Sequence, residues 1–500
     1  MVMYGPMSQS PQPVADSQGS RRVVPLLLAG EERVTADALE TLDPSTGRPL
    51  TSFAIAGTAE IDEAVDAARS AFTGAWGATT PLERGRLLAR AAAQLRDRRD
   101  EFARLDALDG GIPLTMARGD VDNAIRYFEF FAGAADKVYG DTIPLGPGVL
   151  DFTLREPHGV CGVITPFNVP VQMMARSVAP ALATGNAVVV KPAEQAPLAA
   201  LELGRLLVAC GLPSGTLSVV PGLGAQAGAH LAGHPGLDHL TFTGSLATGR
   251  LVASAAVEQM TAVTIEAGGK SPQIVFDDAP VDAAIAAITR SALLTAGQVC
   301  SAGTRILVQD GIYDEIGRRL AAFARGIGIG HAIDDPDMGP LVSRLQQQRV
   351  LEAVATAVQA GTNVLAGGGA PRGAGLEGGF FVEPTVLDDV DPDAPIARDE
   401  VFGPVVGLER FGTYADALAK ANDTEFGLVA GIWSRDLGAA LELARGVRAG
   451  QVFINNYGVG GGVELPFGGY KKSGIGREKG LAALLEYTQL KNVCIRTDVG

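Results

Sequence analysis

Hydrophobic and polar positions follow two different periods along the 500-residue chain. Before residue 140 the apolar positions recur at helical spacing. Residues 61–72 (IDEAVDAARSAF), with Asp62 and Glu63 in the first turn, predict one helix. Residues 81–108 predict a long arginine-rich one, and 121–138 a third. The third carries Tyr127, Phe128, Phe130 and Phe131, an aromatic stripe that reads as core. The apolar run at 23–29 predicts a first strand, and LDPSTG (42–47) is turn chemistry. Residues 1–20, rich in Ser, Gln, Pro and Gly, predict a disordered tail.

From 158 the pattern changes to short apolar runs at 160–165, 187–191, 217–221, 239–243 and 263–266, with segments of helical length such as 197–210 and 248–256 between them. Such alternation predicts a parallel sheet with helices on both faces. Pro180 lies in the first connection, so the helix there is expected to start late or kink. A second α/β block to residue 467 has strand-like runs at 273–276, 305–308, 405–410 and 451–454, and helical patterns at 277–301 and 312–327. Residues 367–379 are a glycine-rich loop. Two stretches outside these blocks, 149–155 and 492–497, alternate in strand fashion.

Composition narrows the function. A formal net charge of −15 argues against a nucleic-acid surface. Cys161, Cys210, Cys300 and Cys494 show no paired spacing and the five histidines read as scattered, so no metal site is expected. Sparse cysteines in a large chain suit a reducing, cytoplasmic setting. Arg21-Arg22 before the short apolar run, which Pro25 breaks and Glu31 closes, makes a poor export signal. No stretch is long and apolar enough to span a membrane.

The candidate chemistry centres on Cys300, in GQVCSAGTR (297–305), where small neighbours let substrate approach the sulfur. A lone cysteine is ordinarily inert core, so the case for a nucleophile rests on partners. TPFNVP (165–170) puts Asn168 at a strand end, where ligands bind in open parallel sheets; alone, such an asparagine is usually a turn cap. KPAEQAP (191–197) puts Glu194 where it could bond a ribose. Gly222, Gly224 and Gly228 miss the usual dinucleotide fingerprint by one residue. FTGS (242–245) with Thr248 and Gly249 offers a helix start able to hold a diphosphate. EAGGKSP (266–272) and EVFGPV (400–405) place Glu266 and Glu400, and PFGGYKKSGIGRE (466–478) closes the series.

Together, in this order, these motifs resemble the aldehyde dehydrogenase superfamily over about residues 24–495. The resemblance implies an α/β fold with a Rossmann-like parallel-sheet cofactor domain (21–139 and 158–267), an α/β catalytic domain (268–467) and a β oligomerisation arm (140–157 and 482–500). It implies NAD as cofactor, a small-molecule aldehyde as substrate, and a homo-oligomer, tetramer rather than dimer. Cys300 would be the nucleophile, already ionised at rest, with Asn168 holding the oxyanion and Glu266 activating water in the second step. Cofactor contacts would be Thr165, Pro166, Phe167, Lys191, Glu194, Gly224, Gly228, Phe242, Gly244, Ser245, Thr248, Gly249, Gln346, Glu400 and Phe402.

The substrate channel would include Val169, Met173, Met174, Arg176, Ser301, Val459 and Phe467, mostly apolar, which favours an apolar or aromatic aldehyde. The alternative is a semialdehyde whose carboxylate pairs with Arg176. Relatives of that kind use a second arginine six positions before the cysteine, where this chain has Leu294. Ser177 stands where many members carry a relay lysine, which puts a proton path through Glu478 in doubt. A CoA-acylating enzyme would not need Glu266, a thiol hydrolase would not need the dinucleotide motifs, and a silent descendant would be free to lose Cys300.

Overall fold

The computed structural model describes residues 23–373, 375–458 and 462–498; the expected tail at 1–20 and Val459 lie outside them. Two large sheets organise the chain. The first has five parallel strands in the spatial order Ala262–Ala267, His239–Gly244, Val160–Ile164, Ala187–Lys191 and Leu217–Val219. The chain therefore starts at Val160–Ile164, winds outward to one side, then returns to wind outward on the other. Side chains at the carboxyl ends of the two strands flanking that reversal face a crevice, the usual ligand position in open α/β sheets. Leu26–Leu28 and Glu31–Arg33 extend one edge and Gly474–Ile475 the other, all antiparallel.

The helix Pro170–Thr184 is buried at every residue but Gln172. It starts at Pro170 and continues four residues past Pro180, contrary to the expected late start. A proline inside a helix costs about 3 kcal/mol. Val171, Met173, Met174, Val178 and Leu182 are all buried on this one helix, and each contributes roughly 1.5–3 kcal/mol of apolar burial. Packing wins over propensity. Gly185 ends the helix in the left-handed region at φ 98°.

The second sheet orders its strands Asn363–Ala366, Thr385–Asp388, Val405–Phe411, Arg305–Gln309, Pro272–Val275, Val429–Trp433 and Gln451–Ile454. All but the first pair in parallel. Three of these strands, Asn363–Ala366, Thr385–Asp388 and Val429–Trp433, were not legible as strands.

Two helical expectations are corrected. The long helix at 81–108 is two, Pro81–Asp97 and Arg99–Gly110. Arg98 between them turns to φ −105°, ψ 17° and ion-pairs with Glu101 and Glu202. The helix at 277–301 is Val281–Leu293 followed by a 3-10 turn, Leu294–Gly297, so Cys300 sits on a loop. In a third sheet the central strand Val149–Pro157 pairs antiparallel with Thr488–Arg496 on one side and Thr142–Ile143 on the other. Residues 482–486 of the expected arm belong instead to the helix Gly480–Glu486. Tyr127, Phe128 and Phe131 are fully buried in the core of the first block.

Candidate active site

The crevice at the reversal opens into a cavity of about 920 Å³ that runs between the two sheets. One wall comes from the ends of the first sheet: Thr165, Pro166, Phe167 and Asn168 after one strand, Lys191 and Glu194 after the next, and Phe242, Gly244, Ser245 and Thr248 after the third. Gly224 and Gly228 line it from a single π-helical turn, Gly224–Gly228. Ser245 caps the helix Leu246–Glu258, accepting from the Thr248 N–H at 3.3 Å. That helix start presents backbone N–H groups to the cavity. Gly249 does not reach the cavity. It faces the sheet, where an added Cβ would lie 3.4 Å from both Ile265 and Phe242, so it serves close helix–strand packing.

Lys191 donates to Glu194 at 2.8 Å. Burial alone would raise the Glu194 carboxyl, but the lysine outweighs it and holds the group below its ordinary value. Across the cavity, Glu400 accepts from the Gly269 N–H at 3.1 Å and is pushed up to about 7, chiefly by burial. A Cβ at Gly268 would sit 1.9 Å from Glu400 Oε2, so a side chain there would displace this carboxylate from its place. Phe402 is held at φ 53°, a strained value for a bulky residue. Gln346 explains how: its amide donates to the carbonyls of Val401 and Phe402 at 3.1 and 2.9 Å. The Phe402 ring then meets Phe167 edge-on at 5.8 Å.

Cys300 lies half-buried on the cavity wall, with Sγ 3.8 Å from Glu266 Oε2. Its loop is fixed by Gly297 at φ 69°, which packs so closely on the carbonyl of Gly403 that a Cβ would come within 2.1 Å. Asn168 donates one amide hydrogen to the Gln298 carbonyl at 2.8 Å. An amide nitrogen carries two hydrogens, so the other remains to serve a ligand. Burial pushes the Cys300 thiol well up, and the charge of Glu266 adds to the effect. Both causes favour the protonated thiol, which runs against the expectation of a cysteine ionised at rest.

Glu266 does not line the cavity itself. It is buried behind the sulfur, 1 % exposed, and burial raises its carboxyl. Oε1 has no hydrogen-bond partner, while Oε2 accepts from Arg176 at 3.2 Å. Arg176 also ion-pairs with Glu478, which a two-residue bridge between Phe467 and Glu478 brings alongside. Its guanidinium lies 4.6 Å over the Phe467 ring. Arg176 is buried between two carboxylates and absent from the cavity wall. Arginine stays protonated, so it joins Glu266 to Glu478 as a fixed charge and not as a proton carrier.

A profile of the aldehyde dehydrogenase family matches residues 32–493. The chain is 41% identical over 465 residues to an aldehyde dehydrogenase of Emericella nidulans, covering 93% of each. It is 41% identical over 488 residues to a hydroxyisobutyraldehyde dehydrogenase of Mycolicibacterium austroafricanum, covering 97% of this chain and 96% of the other. The structure of an aldehyde dehydrogenase from Bacillus cereus, solved as an NAD+ complex, superimposes with a TM-score of 0.93 at 38% identity, over 95% of this chain and 97% of that one. The chain belongs to the aldehyde dehydrogenase family.

The expected substrate residues of this aldehyde dehydrogenase divide. Met173 lines the cavity. Val169, Ser301 and Phe467 do not. The Val169 carbonyl starts the buried helix by accepting from Met173 N–H at 2.9 Å, and Tyr457 OH donates to the Ser301 carbonyl at 2.6 Å. Phe467 packs with Leu428 and Val429 in an apolar cluster that Cys300, Phe453 and Tyr457 border. Met174 is fully buried core. Sequence reasoning missed most of the wall contributed by the helix Arg344–Gln359, namely Arg349, Ala353, Thr356 and Ala357. These recur with Gln346 at helical spacing, so extending that residue along its own face would have found them. Among the described residues no helix is long and apolar enough to cross a membrane.

Proposed function

We propose that this aldehyde dehydrogenase oxidises an apolar or aromatic aldehyde to the carboxylic acid, with NAD as cofactor and Cys300 as nucleophile. The observation that carries the reading is that Cys300 and the pinned Asn168 amide share the wall of one large cavity, with Glu266 buried directly behind the sulfur, 3.8 Å from Sγ. The remaining wall has a donor set suited to a dinucleotide. The start of the helix Leu246–Glu258, with Ser245 and Thr248, suits a diphosphate. Glu194 and Glu400 are carboxylates for ribose hydroxyls, and Phe402 and Phe167 offer ring faces. The bound cofactor would supply the hydride acceptor.

The chain's own residues do the rest. Glu266 Oε2 takes the proton from the Cys300 thiol, and the sulfur attacks the aldehyde carbon to give a hemithioacetal. The free amide hydrogen of Asn168 and the backbone N–H of Cys300 hold the oxyanion, a role worth roughly 3–4 kcal/mol for one such donor. Loss of hydride leaves a thioester on Cys300. Glu266 first releases the thiol proton to solvent and then draws a proton from water, which cleaves the thioester and frees the acid; the proton it gains returns to the Cys300 sulfur as that leaves.

The apolar preference is supported by the cluster of Phe467, Leu428 and Val429 with Phe453 and Tyr457 beside the sulfur. The engagement of Arg176 with Glu266 and Glu478 speaks against the semialdehyde alternative. The domain reading assigns the cofactor to the first sheet and catalysis to the second. We further propose that the third sheet joins subunits, giving a tetramer: Thr488–Arg496 is its edge strand, with Leu490 and Ile495 exposed. The test of the activity is NADH formation from NAD and a panel of aliphatic, aromatic and carboxylate-bearing aldehydes, by the wild type and by Cys300→Ala. Turnover by that variant, or none by the wild type, overturns the reading.

A further inference from the structure

The histidines read as scattered in the sequence are not all scattered in space. His230 and His234 stand four residues apart around the short helix Ala229–Ala232, and both rings point at Asp62 on the helix Thr58–Thr73. The two Nε2 atoms lie 2.5 and 3.2 Å from the same carboxylate oxygen, Asp62 Oδ1. The three potential ligand atoms all fall within 4.8 Å of one another. In a tetrahedral zinc site with bonds of about 2.0–2.1 Å, neighbouring ligand atoms stand about 3.3 Å apart. Small side-chain movements therefore suffice to admit an ion.

We infer that Asp62, His230 and His234 form a binding site for one divalent transition-metal ion, separate from the cavity that holds the active cysteine. Two imidazole nitrogens and one carboxylate oxygen select zinc, cobalt or nickel over calcium and magnesium, which prefer all-oxygen sets. Three protein ligands leave a position for water. All three side chains reach solvent to some degree, Asp62 being 53 % exposed, so an ion can enter. One cost is visible. His234 Nδ1 accepts from the Gly236 N–H at 3.0 Å, which puts the proton of the neutral ring on Nε2. Coordination through Nε2 moves that proton to Nδ1 and gives up the Gly236 bond, so the affinity is moderate. The ion would tie the helix Thr58–Thr73 to a segment whose Gly228, Ala229 and Ala232 line the cavity.

The test uses the full-length protein in a Cys300→Ala background, so that the active thiol does not compete for metal. Equilibrium dialysis against Co2+ and Zn2+ should show one ion bound per chain. The Co2+ spectrum should show ligand-field bands without the sulfur charge-transfer band that a cysteine ligand would give. His230→Ala with His234→Ala, and separately Asp62→Asn, should abolish or sharply weaken uptake while circular dichroism stays unchanged. In the parent, the melting temperature should rise with metal concentration, and in the variants it should not. Absence of uptake by the parent, uptake unchanged by these substitutions, or a sulfur charge-transfer band would each overturn the site.

Discussion

Arg176→Met is the sharpest test of how the base is tuned. The guanidinium stands 3.2 Å from Glu266 Oε2, and both groups are almost wholly buried, at 3 % and 1 % exposed. At an effective dielectric of about 20, unit charges at that distance attract by about 5 kcal/mol, an upper bound before desolvation is charged against it. Opposite charges this close shift a carboxyl by about 1–3 pKa units. Burial already raises Glu266 to about 7, so losing the cation should raise it further and lower its ionised fraction at pH 7 by about 6- to 500-fold. Thioester hydrolysis should fall by a similar factor, and the deficit should close as pH rises. Arg176→Lys keeps a cation and should retain most of the activity. The assay is the pH profile of kcat for NADH formation at saturating NAD, with benzaldehyde and succinic semialdehyde in parallel. Leaving Glu266 and Glu478 unpaired should also cost about 3–5 kcal/mol of stability, so rates are taken well below each variant's melting temperature. An unshifted profile would refute the tuning argument. A defect confined to KM for the semialdehyde would restore the carboxylate-binding role of Arg176.

Four further outcomes are expected. Glu266→Gln should lose both the pre-steady-state burst of NADH and steady turnover, because the resting thiol needs this base; a surviving burst would show that another group deprotonates Cys300. Glu194→Ser should move the ratio of kcat/KM toward NADP, by removing a carboxylate that would face the extra phosphate; an unmoved ratio would remove Glu194 from the ribose site. Asp106 is fully buried, and burial with the charge of Asp120 pushes it well up. The folded state thus keeps a proton that the unfolded chain releases above about pH 4, so this group lowers stability as pH rises. Asp106→Asn should flatten that decline by up to about 1.4 kcal/mol per pH unit, visible in denaturant titrations at acid and mildly alkaline pH; an unchanged slope refutes it. Light scattering at micromolar concentration should return a tetramer, and a monomer would refute the arm.

The parallel core of the first sheet was legible because its strands are short, largely apolar or β-branched runs that recur between helical segments, and all five were found within two residues. Val429–Trp433 was missed although it is fully buried and turn residues, Asp423 to Gly427 and Ser434 to Gly438, lie on both sides of it; Gly431 interrupts its apolar run. The break at Arg98 was invisible because side-chain pairing to a residue 104 positions away creates it. Cys300, Glu266 and Asn168 were singled out through motifs, and the structure puts Glu266 beside Cys300, and Asn168 on the same cavity wall as the sulfur, but their electrostatics were not legible. Whether a cysteine rests as thiol depends on what burial brings beside it, and the Arg176 bridge needs Glu478 to arrive from the far end of the chain. The Asp62 cluster went unseen for the same reason, since its members lie 168 positions apart.

The edge strand Gly474–Ile475 has a consequence for the order in which the protein becomes an enzyme. It completes the first sheet beside Ile265 and Glu266, yet roughly 200 residues, including the whole second sheet, are translated in between. At about 5–20 residues per second that interval lasts about 10–40 s. Throughout it the nascent first sheet carries an open edge at the strand that bears Glu266, and Arg176 has only one of its two acidic partners. The strand that seals the edge and the carboxylate that gives Arg176 its second partner are made within four residues of each other, and the half-buried Lys479 follows at once. The ribosome therefore delivers the last strand of the first sheet together with the last charges to arrive around Arg176 and Glu266, and this cluster is complete only as the chain closes its fold.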